Sequence, residues 1–389
     1  MISHLASRIS DLAAPAIAAV DLDAIASNYR LLRDRVAPRE VYAVVKADAY
    51  GHGAPAVARR LAAEGAARFA VAQADEGVAL RRSGVAGEIL VLSLAEASEL
   101  PRLRAYGLTP ALYDLGQLRD LAAATRGDTD PIGVHVELDT GMGRAGFRAE
   151  SLGDAIEVLR AAPGLRVVGT FANLSSADDP SSPATARQVE QLRAGAGRLG
   201  AAGLGPGLVH AANSAAILGH RDAWLDAVRP GLALYGIAPR PGASEADLRP
   251  AMSVTTRVVS VRRLAAGTPV GYGGRYVARN DIRVAVLPIG YADGFRRSFS
   301  GAVSVLLRGR AAPVIGSVSM DVAIVDATGT SVERGDTAVC LGTQDGVSVS
   351  AWDLALAAGT IPYEILCGFG PRVERIYRAA DGDPLSGDH

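Results

Sequence analysis

The sequence predicts an α/β protein, a TIM-like (β/α)8 barrel followed by a C-terminal domain of mostly β structure. Three observations carry that expectation. Eight short β-branched runs occur between residues 16 and 212, each followed by an Ala- and Arg-rich stretch of helical character, the rhythm of a barrel of alternating strands and helices. After Arg240 that rhythm gives way to strand-like alternation broken by glycine turns. The 389 residues suit two or three domains rather than one small module. The runner-up for the first part is an open doubly wound sheet.

Residues 1–14 read as an N-terminal tail; their charges are scattered and no basic start precedes an apolar block, so they are not expected to be a secretion signal. The barrel is assigned to residues 15–240. Its strand candidates begin at Ala16 (AIAAVDL), Val41 (VYAVVK), Phe69 (FAVA), Ile89 (ILVLS), Thr109 (TPALY), Gly133 (GVHVEL), Val167 (VVGTF) and Leu208 (LVHAA). Between them, residues 25–35, 54–64, 152–162 and 184–199 carry apolar side chains at spacings of three and four, as amphipathic helices do. Residues 240–248 (RPGASEADL) read as a linker, and residues 241–389 are assigned to the second domain. There SVTTRVVSVRRL, RVAVLPIGY, VSVLLRG, APVIGSVSMDVAIVD and DTAVCLG alternate as strands. A single late helix is expected at 350–358, where Ser350 and Asp353 have the spacing of a capping box.

Charge and cysteine content exclude several classes of partner. Lys plus Arg is 40 against 41 for Asp plus Glu, a net charge of −1 that gives no general field for nucleic acid or an anionic membrane. The longest uncharged stretch, 199–220, is interrupted by glycines, Pro206, Asn213 and two histidines, so no membrane span is expected. Cys340 and Cys367 form no CxxC; a reducing, cytoplasmic setting is expected. The histidines show no ligand spacing. His52 and His210 read as structural hydrogen-bonding groups, and no metal site is expected.

Lys46 is the only lysine among the 40 basic residues. A GC-rich codon bias explains why arginine serves wherever a positive charge suffices. The exception then marks a position that needs an amine able to lose its proton, which guanidinium does not provide. Schiff-base chemistry is the leading candidate.

Residues 44–53 (VVKADAYGHG) put this lysine at the end of the second strand candidate. The run resembles the cofactor-lysine motif of the alanine racemases, fold type III pyridoxal-phosphate enzymes. The resemblance continues in family order through 139–147 (DTGMGRAGF), 213–216 (NSAA), 229–236 (RPGLALYG), 270–273 (VGYG), 288–294 (PIGYADG), 319–321 (SMD) and 363–364 (YE). It implies the barrel and β-domain fold, pyridoxal 5'-phosphate as cofactor, and a small-molecule amino acid as substrate. Lys46 would carry the cofactor covalently and act as one base at the substrate α-carbon, with Tyr272 as the other. In the family that tyrosine comes from the partner protomer, so the resemblance implies a homodimer with composite sites.

The same resemblance assigns cofactor contacts to Tyr50, Arg144, Asn213, Ser214, Arg229, Gly231, Leu232 and Tyr363, with Arg229 facing the pyridine nitrogen. It gives Arg144, Met320, Tyr291 and Asp321 to the substrate side, Met320 through its backbone amide. Physics alone supports part of this. Asn213-Ser214 precedes an apolar helical stretch, so Ser214 offers a hydroxyl and a helix start to an anion. Taken alone, Tyr272 reads as a half-buried strand tyrosine and Met320 as core packing.

Three positions depart from the family pattern. Asn173, assigned to the cofactor site, stands where a histidine is usual; an amide can hydrogen-bond but cannot change protonation. Tyr272 is then harder to ionise unless Arg144 compensates, which predicts slow racemisation or a substrate other than alanine. Glu137 replaces a lysine that is often carbamylated, and its carboxylate is expected to orient Arg144. Ser317 replaces a basic residue. The leading reading is a racemase taking L-alanine to D-alanine, an isomerase of D-alanine biosynthesis. The alternatives are a racemase for another amino acid such as serine, a biosynthetic paralogue with an altered reaction, and a cofactor-binding protein with little catalysis; the β domain argues against the last.

Overall fold

The computed structural model describes residues 14–93, 95–241 and 247–379. It divides into two compact units, one made of Ile25–Ala49 and Ala54–Arg249, the other of the residues up to Ala24, Tyr50–Gly53 and the chain from Pro250 onward.

The first strand of the chain, β1 (Ala16–Asp21), stands outside the barrel. The barrel consists of β2 (Glu40–Val44), β3 (Arg68–Val71), β4 (Glu88–Val91), β5 (Leu108–Leu112), β6 (Ile132–Glu137), β7 (Leu165–Phe171), β8 (Leu208–His210) and β9 (Ala227–Val228), all parallel, with β9 closing on β2. The open-sheet alternative is thereby excluded. The expected count of eight holds but its membership changes: β1 leaves and β9 enters. Two residues are too short to show any period, so β9 gave no signal, while β1 has the same apolar, two-face-buried composition as a barrel strand.

Most barrel strands are buried along nearly their whole length, which is why they read as apolar runs rather than alternating ones. The surrounding helices alternate instead at helical spacing. In Leu152–Arg160, for example, Leu152, Ala155, Ile156 and Leu159 face inward. Asp114 starts Leu115–Ala124 by accepting from the Gly116 and Gln117 N–H groups.

One interior layer of the barrel is polar. Tyr42 of β2, Glu88 of β4, His135 of β6 and His210 of β8 meet there, at positions from alternate strands where barrels usually carry branched aliphatic residues. Gly169 on β7 makes the space, since a Cβ at that position would lie 2.2 Å from His135 Cε1.

In the second unit β1 pairs antiparallel with β10 (Met252–Arg257) and parallel with β20 (Glu374–Arg378). Between those strands in sequence lie β11 (Ser260–Leu264), β12 (Pro269–Val270), β13 (Tyr276–Val277), β14 (Ile282–Leu287), β15 (Ser304–Leu307), β16 (Arg310–Ile315), β17 (Ala323–Asp326), β18 (Thr337–Gln344) and β19 (Val347–Val349). The main sheet runs β11-β14-β17-β16-β15-β18-β10-β1-β20, with β19 on β18 and β12 paired to β13. Val270, Ala278, Ile282, Val284 and Ile315 form an apolar core of this unit, where β12 packs with β14 and β16. The expected late helix is Ala351–Ala358, opened by the Ser350 and Asp353 capping box, but it is not single: a second helix, Pro362–Gly368, follows it, too short to show a helical period in the sequence. Among the described residues no helix is long and apolar enough to cross a membrane.

Candidate active site

Lys46 lies just past β2, at the C-terminal end of the barrel strands, where barrel folds gather their reactive groups. Its strand is tied to the segment carrying Arg229: Val44 N–H donates to Pro230 O at 3.1 Å and Tyr235 Oη–H to Val44 O at 2.9 Å. Beyond the lysine the chain makes a left-handed helical turn. Ala47, Asp48, Ala49 and Tyr50 have φ of 52°, 52°, 55° and 55°, a conformation that costs L-residues about 1–2 kcal/mol each. Hydrogen bonds offset this cost. Glu76 accepts from the Ala47 and Ala72 N–H groups at 2.7 Å each, and Asp48 accepts from Ala54 N–H at 2.7 Å. Backbone strain held by its surroundings in this way is characteristic of sites where a side chain must be aimed.

Arg229 follows β9 and is buried. Its Nη1 donates to His210 Nδ1 at 2.5 Å and to His210 O at 3.1 Å, and its Nη2 to Ala172 O at 2.9 Å and Asn173 Oδ1 at 3.2 Å. Among the described residues only its Nε–H has no hydrogen-bond partner. Burial lowers the guanidinium to about 10, against the opposing effect of Glu137, so it stays a cation at neutral pH. Phe171 lies under it, 5.0 Å from the guanidinium carbon to the ring centroid.

Asn173 and Glu137 are joined. Asn173 Nδ2 donates to Glu137 Oε1 at 2.7 Å, so the amide bridges Arg229 to a buried carboxylate. Burial pushes Glu137 above the usual carboxylate range, opposed by the Asn173 bond and by the charges of Arg144 and Arg229. The expectation that Glu137 orients Arg144 is corrected here. Arg144 is exposed and makes no hydrogen bond among the described residues, whereas Asn173, just past the end of the neighbouring strand, is within reach of the short glutamate.

Ser214 begins the helix Ser214–Gly219, whose N-cap is Asn213, with its side chain accepting from Ala216 N–H at 3.0 Å. Ser214 Oγ accepts from the Gly231 and Ala233 N–H groups at 3.0 and 3.1 Å. This gathers Asn213, Ser214, Gly231 and Leu232 at one place in the barrel unit. It also engages the Gly231 amide, which was expected to face an anion directly.

The second unit holds the remaining assigned residues. Tyr50 and Tyr363 face each other with ring centroids 5.5 Å apart, and burial pushes the Tyr50 phenol up. Gly51 permits that packing, because at its φ of 80° a Cβ would sit 2.5 Å from Leu366 O. Tyr272 stands on a turn between Gly271 and Gly273, with φ of 70° and 73°. Ser317 Oγ–H donates to Tyr272 O at 3.2 Å, while the Tyr272 residue is 76% exposed. Met320 and Tyr291 are also exposed, at 52% and 44%, which removes the core-packing reading of Met320. Arg372 pairs with Asp321 at 2.9 Å and with buried Asp293 at 3.0 Å.

Comparison with known proteins accounts for this arrangement. Residues 20–239 match the family model "Alanine racemase, N-terminal domain" and residues 251–377 match "Alanine racemase, C-terminal domain". The chain belongs to the alanine racemase family. It is 41% identical over 368 residues to an alanine racemase of Symbiobacterium thermophilum, covering 93% of this chain and 97% of that protein. The alanine racemase of Streptomyces coelicolor superposes with a TM-score of 0.91 at 34% identity, covering 95% of this chain and 99% of the other. That of Bartonella henselae, solved with covalently bound pyridoxal phosphate, gives 0.84 at 33% identity, covering 94% and 100%.

The donor set fits the family's cofactor. The amine of the sequence's only lysine at the strand end, a buried arginine with one uncommitted N–H, and a hydroxyl at a helix start suit an aldehyde, a ring nitrogen and a phosphate. Sequence reading missed Tyr42, Glu88 and His135, which surround His210. Their signal was present: ionisable residues inside runs that otherwise read as fully buried strands.

Proposed function

We propose that this chain is a pyridoxal-phosphate-dependent racemase that interconverts L- and D-alanine by a two-base mechanism. The observation that carries it is the only lysine of the sequence standing at the end of β2, on a strand hydrogen-bonded to the segment of Arg229. Lys46 would hold the cofactor and exchange a proton at one face of the substrate α-carbon; the Tyr272 hydroxyl of a second copy would do so at the other. Bound there, the cofactor supplies the electron-withdrawing ring that acidifies the α-carbon. Arg229, lacking an easily lost proton, would face the ring nitrogen without protonating it fully, which would favour simple proton removal and return. Ser214, Asn213, Leu232, Tyr50 and Tyr363 would hold the phosphate, with the Gly231 amide positioning the Ser214 hydroxyl. Arg144 and Asn173 would line the ring, and Met320, Asp321 and Tyr291 the substrate side. The exposed Tyr272 supports a homodimer with composite sites, and the two cysteines, neither in a disulfide, agree with a cytoplasmic setting.

The test is proton NMR of the loaded protein in deuterated water with L-alanine, D-alanine, L-serine and larger amino acids, followed by chiral analysis. Exchange of the alanine α-proton with both enantiomers appearing is the expected result. Inert alanine beside an exchanging second amino acid would move the assignment to that substrate, and silence across the panel would remove the racemase reading.

A further inference from the structure

Arg229 is a buried cation that touches no carboxylate among the described residues; it reaches two of them through neutral intermediaries. One path is Asn173 to Glu137. The other crosses the polar layer of the barrel. Arg229 Nη1 only donates, so at 2.5 Å His210 Nδ1 must be the bare, accepting nitrogen. Neutral His210 then carries its proton on Nε2, which faces His135 Nδ1 at 2.9 Å. His135 must accept there and so is protonated on Nε2, which faces Glu88 Oε1 at 3.2 Å. Glu88 also accepts from Tyr42 Oη–H at 2.9 Å and pairs with Arg68, whose Nε lies 3.2 Å from Glu40. Every donor in the chain therefore points one way, from Arg229 to Glu88.

The surroundings keep both rings neutral. His210 and His135 are fully buried; burial, with the Arg229 and Arg68 charges, lowers both, and at His135 it outweighs the opposing Glu88 bond and charge. Tyr42 and Phe171 each stack with His210, at 5.1 and 5.2 Å between centroids, which fixes the ring plane. A reversed chain would place an N–H of His210 against the N–H of Arg229, and the guanidinium would have to turn. Burial raises Glu88, but the bonds from His135 and Tyr42 and the Arg68 charge bring it below the usual carboxylate range, so it remains an acceptor at neutral pH.

We propose that Glu88 is a remote positioning residue of the site: through His135 and His210 it fixes the donor direction at Arg229 and so aims the one uncommitted guanidinium N–H. The inference deepens the proposed reaction and rests on it for its kinetic readout, whereas its first readout needs no reaction.

The experiment is 15N NMR of histidine-labelled, cofactor-free protein, in which protonated and bare ring nitrogens are told apart directly. Both His135 and His210 are expected as single Nε2–H tautomers at neutral pH. Either ring protonated on Nδ1, or on both nitrogens, overturns the proposal without any variant. Glu88→Leu is expected to remove the single tautomer at His135, shift the His210 signals, and lower kcat roughly tenfold with KM unchanged. Glu88→Met, which nearly keeps the volume and offers no strong acceptor, should act in the same direction and answers for a Leu variant that fails to fold. Signals and kcat unchanged in the folded variants, or a change confined to His135, would reduce Glu88 to an ion partner of Arg68 and overturn the relay. A protein that racemises no amino acid yet displays the expected tautomers would retire the reaction and leave the directional chain standing.

Discussion

The two units treat their functional groups in opposite ways. In the barrel unit Arg229, Ser214 and Glu137 are buried and each is held by side-chain hydrogen bonds. In the β unit Tyr272, Met320 and Tyr291 are fixed through their backbone turns and present their side chains outward. Burial with satisfied partners makes a site rigid on its own account. Side chains held only from behind are placed for contact with something further, and the proposed second copy fills that role.

The sharpest way to break the comparison is Lys46→Arg, which keeps the charge and removes the nucleophile. Turnover is expected to fall by more than about 10³-fold, with loss of the covalent cofactor absorption; retained absorption would refute the lysine assignment. Tyr272→Phe comes next, with kcat lower by about 10²–10⁴ and cofactor affinity intact. Mixing the two variants sharpens the point, because a mixed dimer with composite sites holds one undamaged pair of bases. Activity that stays absent in such mixtures, at concentrations where dimers form, would place both bases on one chain.

Smaller effects probe the barrel unit alone. Asn173→Leu removes the bridge between Arg229 and Glu137, taking the Asn173 bond from the buried Glu137 carboxylate and from one Nη2–H of Arg229. Urea unfolding of the cofactor-free protein is expected to show a loss of about 1–3 kcal/mol, and an unchanged midpoint would mean the bridge contributes nothing. Acid titration tests the neutral imidazoles. Their folded pKa values lie below the unfolded value, so below about pH 6.5 the unfolded chain binds protons that the fold refuses. Stability should then fall by about 1.4 kcal/mol per pH unit for each ring. The carboxylate Glu88, held low, adds its own loss only in more acid solution. Stability that stays flat from pH 7.5 to 5.5 would contradict the buried, neutral assignment of His135 and His210.

Much of this was legible in the sequence because chemistry constrains residue type. The solitary lysine, the glycine-flanked Tyr272 and the Ser350 capping box each announce a local requirement that a single residue meets. What stayed hidden depended on partners distant in sequence. Nothing local separates β1 from a barrel strand, since its place is decided by pairing with β10 and β20. The left-handed turn after Lys46 uses alanine, aspartate and tyrosine where glycine would have signalled it. Glu137 was read toward Arg144 because sequence order does not reveal that Asn173 lies just past the end of the adjacent strand. Glu88 and His135 were visible as misfits in apolar runs, but their shared layer appears only once the barrel closes.

That layer has a consequence for assembly. A parallel strand buried on both faces offers apolar side chains in either phase, so hydrophobicity alone distinguishes its registers poorly. Tyr42, Glu88, His135 and His210 remove the ambiguity, because a slip by one residue turns a polar group away from its partners and leaves it buried without them, at about 1–3 kcal/mol each. The four positions span residues 42 to 210 of the chain, so they are satisfied together only when β8 has joined the ring. A barrel with aliphatic residues at all four would be expected to keep its strands and lose their single alignment, visible as multiple backbone amide signals for β2, β4, β6 and β8. The same side chains that aim an arginine thus act as the barrel's alignment marks.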